Sequence, residues 1–175
     1  MNLIDILPIE KWIELEKEIN KRSGLNASVF DADGIRITDY KKWANRLCPV
    51  VKANEKGQSY IWAVAHQNAA NQAHKNREPV IIECDAGLVK VVGPIIVHDE
   101  FLGVAGGCGL LLKDSEVDTF LVNKTTGIGV EKIEKLSNDI ATISMEQLKS
   151  VIKYIEDELE WINHKYQDQR LVSAG

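Results

Sequence analysis

The stretch from Pro79 to Leu112, PVIIECDAGLVKVVGPIIVHDEFLGVAGGCGLLL, constrains the fold more than any other part of the chain. It reads as three consecutive strands. Val80 to Cys84 alternates and is closed by Asp85-Ala86-Gly87, a turn-forming cluster. Leu88 to Val97 follows, and the short polar connection His98-Asp99-Glu100 leads into Phe101 to Leu112, so the last two runs predict an antiparallel hairpin, with a bulge or bend at Gly93-Pro94. With a strict period of two, the third run places Leu102, Val104, Cys108, Leu110 and Leu112 on one face and Gly103, Ala105, Gly107 and Gly109 on the other. A nearly bare strand face predicts that a helix, a backbone or a ligand comes close to it.

The remaining segments alternate between helical and strand-like periods. Pro8 to Arg22 carries Trp12, Ile13, Glu16 and Ile19 at helical spacing and stops at Ser23-Gly24. Ala27 to Phe30 and Ile35 to Thr38, separated by Asp31-Ala32-Asp33-Gly34, read as a hairpin. Lys41 to Ala53 and Ser59 to Asn76 are helical in pattern, with Pro49 kinking the first or starting a second short turn in it, and after the central strands come short helices at about Glu116 to Lys124 and Val130 to Leu136. The expected class is α+β: an antiparallel sheet of about five strands with flanking helices and a long C-terminal helix. Residues 1–143 form the expected domain and 144–175 a helical extension.

That extension opens at Ser144 with Gln147 three positions on, a capping-box pattern, and runs without Gly or Pro to about Gln169. Leu148, Ile152, Ile155, Leu159, Ile162 and Tyr166 recur at spacings of four and three, an a/d seam of about three heptads. The expectation is that this seam pairs with its copy in a homodimer through Leu148, Ile152, Ile155, Leu159 and Ile162; the competing outcome is that it folds back over the bare face of its own sheet.

Charge and composition exclude several classes of function. A formal net charge of −5 offers no footprint for nucleic acid. The start, MNLIDILPIEKW, has no cationic region followed by an apolar one, and no run of about 18 apolar residues is present, so no membrane association is expected and the location should be cytoplasmic. The three cysteines, Cys48, Cys84 and Cys108, are odd in number and far apart, which fits a reducing compartment. No P-loop, nucleophile elbow, HExxH or dinucleotide-binding glycine motif occurs, so the chain reads as a non-enzyme; Asp85 with His66 is the one acid–base pair that could be named. Cys84 and Cys108 on neighbouring or next-neighbouring strands, joined by Cys48 from a helix and by Asp85 or His66, could hold a metal or an iron–sulfur cluster, although no CxxC spacing is present; buried thiols that pack as small hydrophobes fit the same pattern.

The order Asn45-Arg46-Leu47-Cys48-Pro49-Val50-Val51, Glu83-Cys84-Asp85-Ala86-Gly87-Leu88, Gly93-Pro94-Ile95-Ile96-Val97 and Phe101-Leu102-Gly103 with Gly106-Gly107 resembles the PocR-type sensory domain, as do Gly127-Ile128 and Ser144 to Leu148. The resemblance spans roughly Ile9 to Glu160. It implies a PAS-like fold that binds small molecules, short hydrocarbon derivatives such as diols among them, and passes the signal to a partner module. The chain departs from the family pattern in having Cys84-Asp85 where Cys-His is common, and Tyr60-Ile61-Trp62 where a further cysteine is common. Only Leu171 to Gly175 follow the long helix, so the expectation is a stand-alone sensor or a fragment of a larger receptor.

Together these readings predict a non-enzymatic sensor of a small organic ligand that signals through its terminal helices, to a partner protein or within a homodimer. Its pocket is expected between the sheet and the helices at Lys41 to Ala53 and Ser59 to Asn76, lined by Trp43, Cys48, Tyr60, Trp62, His66, Cys84, Asp85 and Cys108. The alternative is a metal or redox sensor using Cys48, Cys84 and Cys108.

Overall fold

The computed structural model describes residues 1–173, with side chains to residue 166. A short helix, α1 (Leu3–Ile6), precedes α2 (Ile9–Ser23), which Gly24 ends in a left-handed cap. The sheet is built from β1 (Asn26–Asp31), β2 (Val80–Glu83), β3 (Val89–Val97) and β4 (Glu100–Leu112) in the antiparallel order β1-β4-β3-β2. The fifth strand, β5 (Thr142–Ile143), pairs in parallel with the end of β4. It is not the one the sequence suggested: Ile35 to Thr38 makes only a bridge, Phe30 to Arg36, and backbone bonds from Ile37 N–H to Val29 and from Asp31 N–H to Ile35.

Between β1 and β2 the chain forms α3 (Leu47–Ala53), a π-helical turn Gly57–Trp62 and α4 (Ala63–Asn76). The helix expected from Lys41 starts instead at Leu47. Pro49 explains the shift, because it lacks the N–H that an upstream helix would need for the Asn45 carbonyl, and it is tolerated in a first turn where that donor has no intrahelical partner. After the sheet come α5 (Thr119–Thr126), α6 (Val130–Ser137) and the long α7 (Met145–Ser173). Ser144 and Gln147 exchange both capping-box bonds, at 2.9 and 3.1 Å.

β4 corrects the simple alternation. Opposite β3 its register slips twice, so that Leu102 and Gly109 are extra residues. Gly109 has φ +104, a backbone conformation that a side chain strains against. The bulge at Gly109 therefore separates Cys108, which faces α3 and α4, from Leu110, which joins the core beneath α2 and α7. The bare face also has an explanation: Leu25 Cβ lies 2.8 Å from where a Gly107 Cβ would be, and Ala44 and Asn45 crowd Gly109.

α7 packs back onto β3 and α2, and Leu148, Val151, Ile155 and Ile162 are buried there. Its resting place is β3 rather than the small residues of β4: a Cβ on Gly93 would lie 2.7 Å from Ile155 Cγ2 and 3.1 Å from Leu159 Cδ1. Each such side chain contributes about 1.5–3 kcal/mol when fully buried. The seam expected to meet a second copy is thus occupied by its own chain.

Candidate functional site

Opposite the α7 layer, the second face of the sheet carries α3, the π-turn and α4. Between them lies a cavity of about 40 Å³. One water needs at least about 10–15 Å³ on the same measure, so this space suits a molecule of a few heavy atoms. Its floor is Lys90 and Cys108 from β3 and β4, with Cys84, Ala86 and Leu88 from the β2–β3 connection, and its roof is Leu47, Cys48 and Val51 from α3, Ile61 and Trp62 from the π-turn and Ala65 from α4.

Local sequence positions the polar members. Asn45 Oδ1 accepts from the Cys48 N–H at 2.7 Å, while its Nδ2 donates to the bulge carbonyl of Gly109 at 2.6 Å and lies 3.2 Å from Cys48 Sγ. One side chain thereby fixes α3, the bulge and a thiol together. Lys90 sits opposite Cys108 in the β3–β4 ladder, on the strand face that carries Leu88 and Val92, and it is only 5% exposed. Π-turns are recurrent at functional sites because they displace the side chains they carry. Here the π-turn delivers Trp62, which borders both the cavity and a surface groove of about 560 Å³ that includes Asp31, Asp33, His66 and His74.

The electrostatics are one-sided. Burial and the neighbouring Cys108 push the Cys48 thiol up, and burial pushes Cys84 up against the N–H groups of Ala86 and Leu88, so both are neutral at physiological pH. His66 is 6% exposed and packs with its ring centroid 3.8 Å from Phe30 and 5.8 Å from Trp62. Burial, then Lys90 and Lys52, hold its pKa down at about 3, and neither ring nitrogen has a hydrogen-bond partner. Lys52 lies 3.9 Å from the Trp62 centroid, with its pKa lowered by burial and then by Lys41 and Arg36. Among the described residues no Asp or Glu lines the cavity.

Of the residues singled out by sequence, Cys48, Trp62, Cys84 and Cys108 line the cavity, and His66 lies beside it behind Trp62. Trp43, Tyr60 and Asp85 do not: Tyr60 is 61% exposed on the outer side of the π-turn, Trp43 is partly exposed in the segment before α3, and Asp85 is exposed in the β2–β3 turn. Asp85 therefore makes no acid–base pair with the enclosed His66. Among the described residues no group of three or more His, Cys, Asp or Glu is arranged to hold a metal ion. Lys90, Lys52 and Asn45 escaped sequence reasoning. A signal for Lys90 existed, since its neighbours two positions away, Leu88 and Val92, are apolar and mark an inward-facing lysine.

Among the described residues no helix is long and apolar enough to cross a membrane. The family model described as the sensory domain found in PocR matches residues 5–165. Neither a search of curated proteins nor one of solved structures returns a match. With nearly its whole length matched, the chain belongs to the PocR sensory-domain family.

Proposed function

We propose that this PocR-type domain is a non-enzymatic sensor that takes a small organic ligand into the cavity between the sheet and α3, the π-turn and α4. The observation that carries the reading is the cavity itself: mostly apolar walls with a few converging polar groups, which is how small-molecule sites are usually built. β3 offers the route outward, because Lys90 faces the cavity while Val89 and Val91, on the opposite strand face, lie in the core that holds Leu148 and Ile155 of α7. A ligand that shifts β3 would then be read at the terminal helices α2 and α7.

Thermal denaturation with small alcohols, diols, acids and amines tests this. A ligand at about 100 times its dissociation constant stabilises the folded chain by about 2.7 kcal/mol. Ala65→Leu, which fills the cavity from α4, should remove the response of any ligand that binds there. No response to any class, in a chain that Ala65→Leu leaves equally stable, would reduce the cavity to a packing defect.

One observation favours a second reading, a metal or redox sensor: Cys48, Cys84 and Cys108 all border the same cavity. Elemental analysis and a visible spectrum of protein purified without oxygen decide it. Metal at less than about a tenth of the protein concentration, with no visible absorbance, would leave the organic-ligand reading alone.

A further inference from the structure

Lys90 is the residue that the cavity's packing does not explain. It is 5% exposed, and the interaction its ammonium makes among the described residues is with the Trp62 ring, whose centroid is 5.8 Å away. Buried charges are ordinarily paired, because an ion taken out of water regains its solvation only from a counter-charge or from hydrogen bonds. Here the surroundings add to the imbalance. Lys52 stands on the other contact of Trp62, no carboxylate lines the cavity, and the unpartnered His66 ring lies behind the same tryptophan. The Cys48 and Cys84 thiols do not compensate, since burial keeps them protonated and they are weak S–H donors.

We propose that the ligand of this cavity is a small organic anion, a short monocarboxylate, whose carboxylate pairs with Lys90 while its chain lies among Leu47, Val51, Ile61 and Leu88. The assignment rests on reading the cavity as a ligand site and adds the class of ligand. A carboxylate supplies the counter-charge that the cavity lining lacks, and the Cys48 and Cys84 S–H groups are weak donors to its oxygens. A neutral alcohol or diol of the same size leaves the ammonium uncompensated, and an amine meets like charge. The volume of about 40 Å³ limits the chain to a few carbons.

Calorimetric titration of the full chain with propionate, 1,2-propanediol and propylamine, three probes of matched size, tests the class. Propionate should bind the wild type, should bind Lys90→Met at least tenfold more weakly, and should bind at least tenfold more tightly than the other two. If Lys90→Met does not fold, the side-chain methylene resonances of Lys90 in the wild type replace it and should move on addition of propionate. Propanediol binding as tightly as propionate, propionate binding unchanged by Lys90→Met, or unmoved Lys90 resonances would each overturn the anion while leaving a ligand-binding cavity. Silence from all three probes overturns the anion and counts against the cavity as a sensor site as well.

Discussion

The two faces of the central sheet are finished to different standards. Beneath α2 and α7 the packing is apolar and complete: Trp12, Ile19, Val91, Ile95, Leu148 and Ile155 are all 2% exposed or less, and even the absent side chain of Gly93 is used as space for Ile155. Its buried carboxylate, Glu16, is held at one oxygen: Oε1 accepts from the Val29 N–H at 2.9 Å, from Thr38 Oγ1 at 2.6 Å and from Arg36 at 3.3 Å, while Oε2 has no hydrogen-bond partner among the described residues. Beneath α3 and α4 the same sheet keeps a cavity, a lysine that makes no ion pair among the described residues and lies over the Trp62 ring, and a histidine whose ring nitrogens have no hydrogen-bond partner among them. Close packing and satisfied polar groups are what stability alone selects. Each face leaves a buried polar group unpaired, but only the second also keeps a cavity beside a lysine, and that is where binding is to be sought.

The largest test of this contrast attacks the finished face. Ile155→Glu combined with Ile162→Glu places two carboxylates in a core with no donors for them, and each should cost more than about 3–4 kcal/mol, enough to unfold a domain whose total stability is typically about 5–15 kcal/mol. Circular dichroism and light scattering would show an unfolded or aggregated chain. A folded monomer instead would mean that the seam is held by a second copy and not by β3.

The course of α7 shows where sequence reading ran out. Its heptad spacing and capping box were plain in the residues, and so were the three central strands, because periodicity and turn chemistry are local. The choice of surface for the seam was not local. It depends on Gly93, which the sequence marked only as a bend, lying directly under Ile155. The candidate site failed in the same way. Cys108 and Leu110 share a face by a period of two, and only the extra residue at Gly109, visible in the β3–β4 register, turns one toward the cavity and the other toward α2. Tyr60 and Trp62 lie two apart on a helical turn and so point to opposite sides, one to water and the other to the cavity, but helical spacing alone does not say which is which.

A smaller effect separates the two faces by pH. The neutral His66 ring is held at a pKa of about 3, whereas an unfolded histidine titrates at about 6.5. Between these values the unfolded chain binds a proton that the folded chain refuses. The stability due to neutral His66 is therefore fully present above about pH 6.5 and is lost as the pH falls toward 3. The cost should reach a few kcal/mol at the acid end. His66→Phe keeps a ring against Phe30 and Trp62 and removes the proton site. The groove carboxylates Asp31 and Asp33, and the cations Lys52 and Lys90, remain in both proteins, so the difference between the two stability curves isolates His66. Parallel curves from pH 7 to 4 would show that the ring is reached by water.

The smallest effect concerns Lys90 in the absence of any ligand, and its sign matters more than its size. On the α2 face, removing a buried charge leaves its donors stranded: Glu16→Leu would orphan the Val29 N–H and the Thr38 hydroxyl and should destabilise, although Arg36 keeps the carbonyls of Ala27 and Tyr40. Lys90 has no such dependants. Met at this position keeps an unbranched chain of similar length along Leu88 and Val92 and deletes only the ammonium. Lys90→Met should therefore raise the stability of the ligand-free chain, by about 1 kcal/mol, measured as a higher denaturant midpoint at unchanged slope. A gain in stability at a residue needed for binding is the signature of a site kept at the expense of the fold. A loss of 1 kcal/mol or more would instead show that Lys90 is held by partners within the chain, water-bridged or otherwise, and that the cavity face is as complete as the face beneath α7.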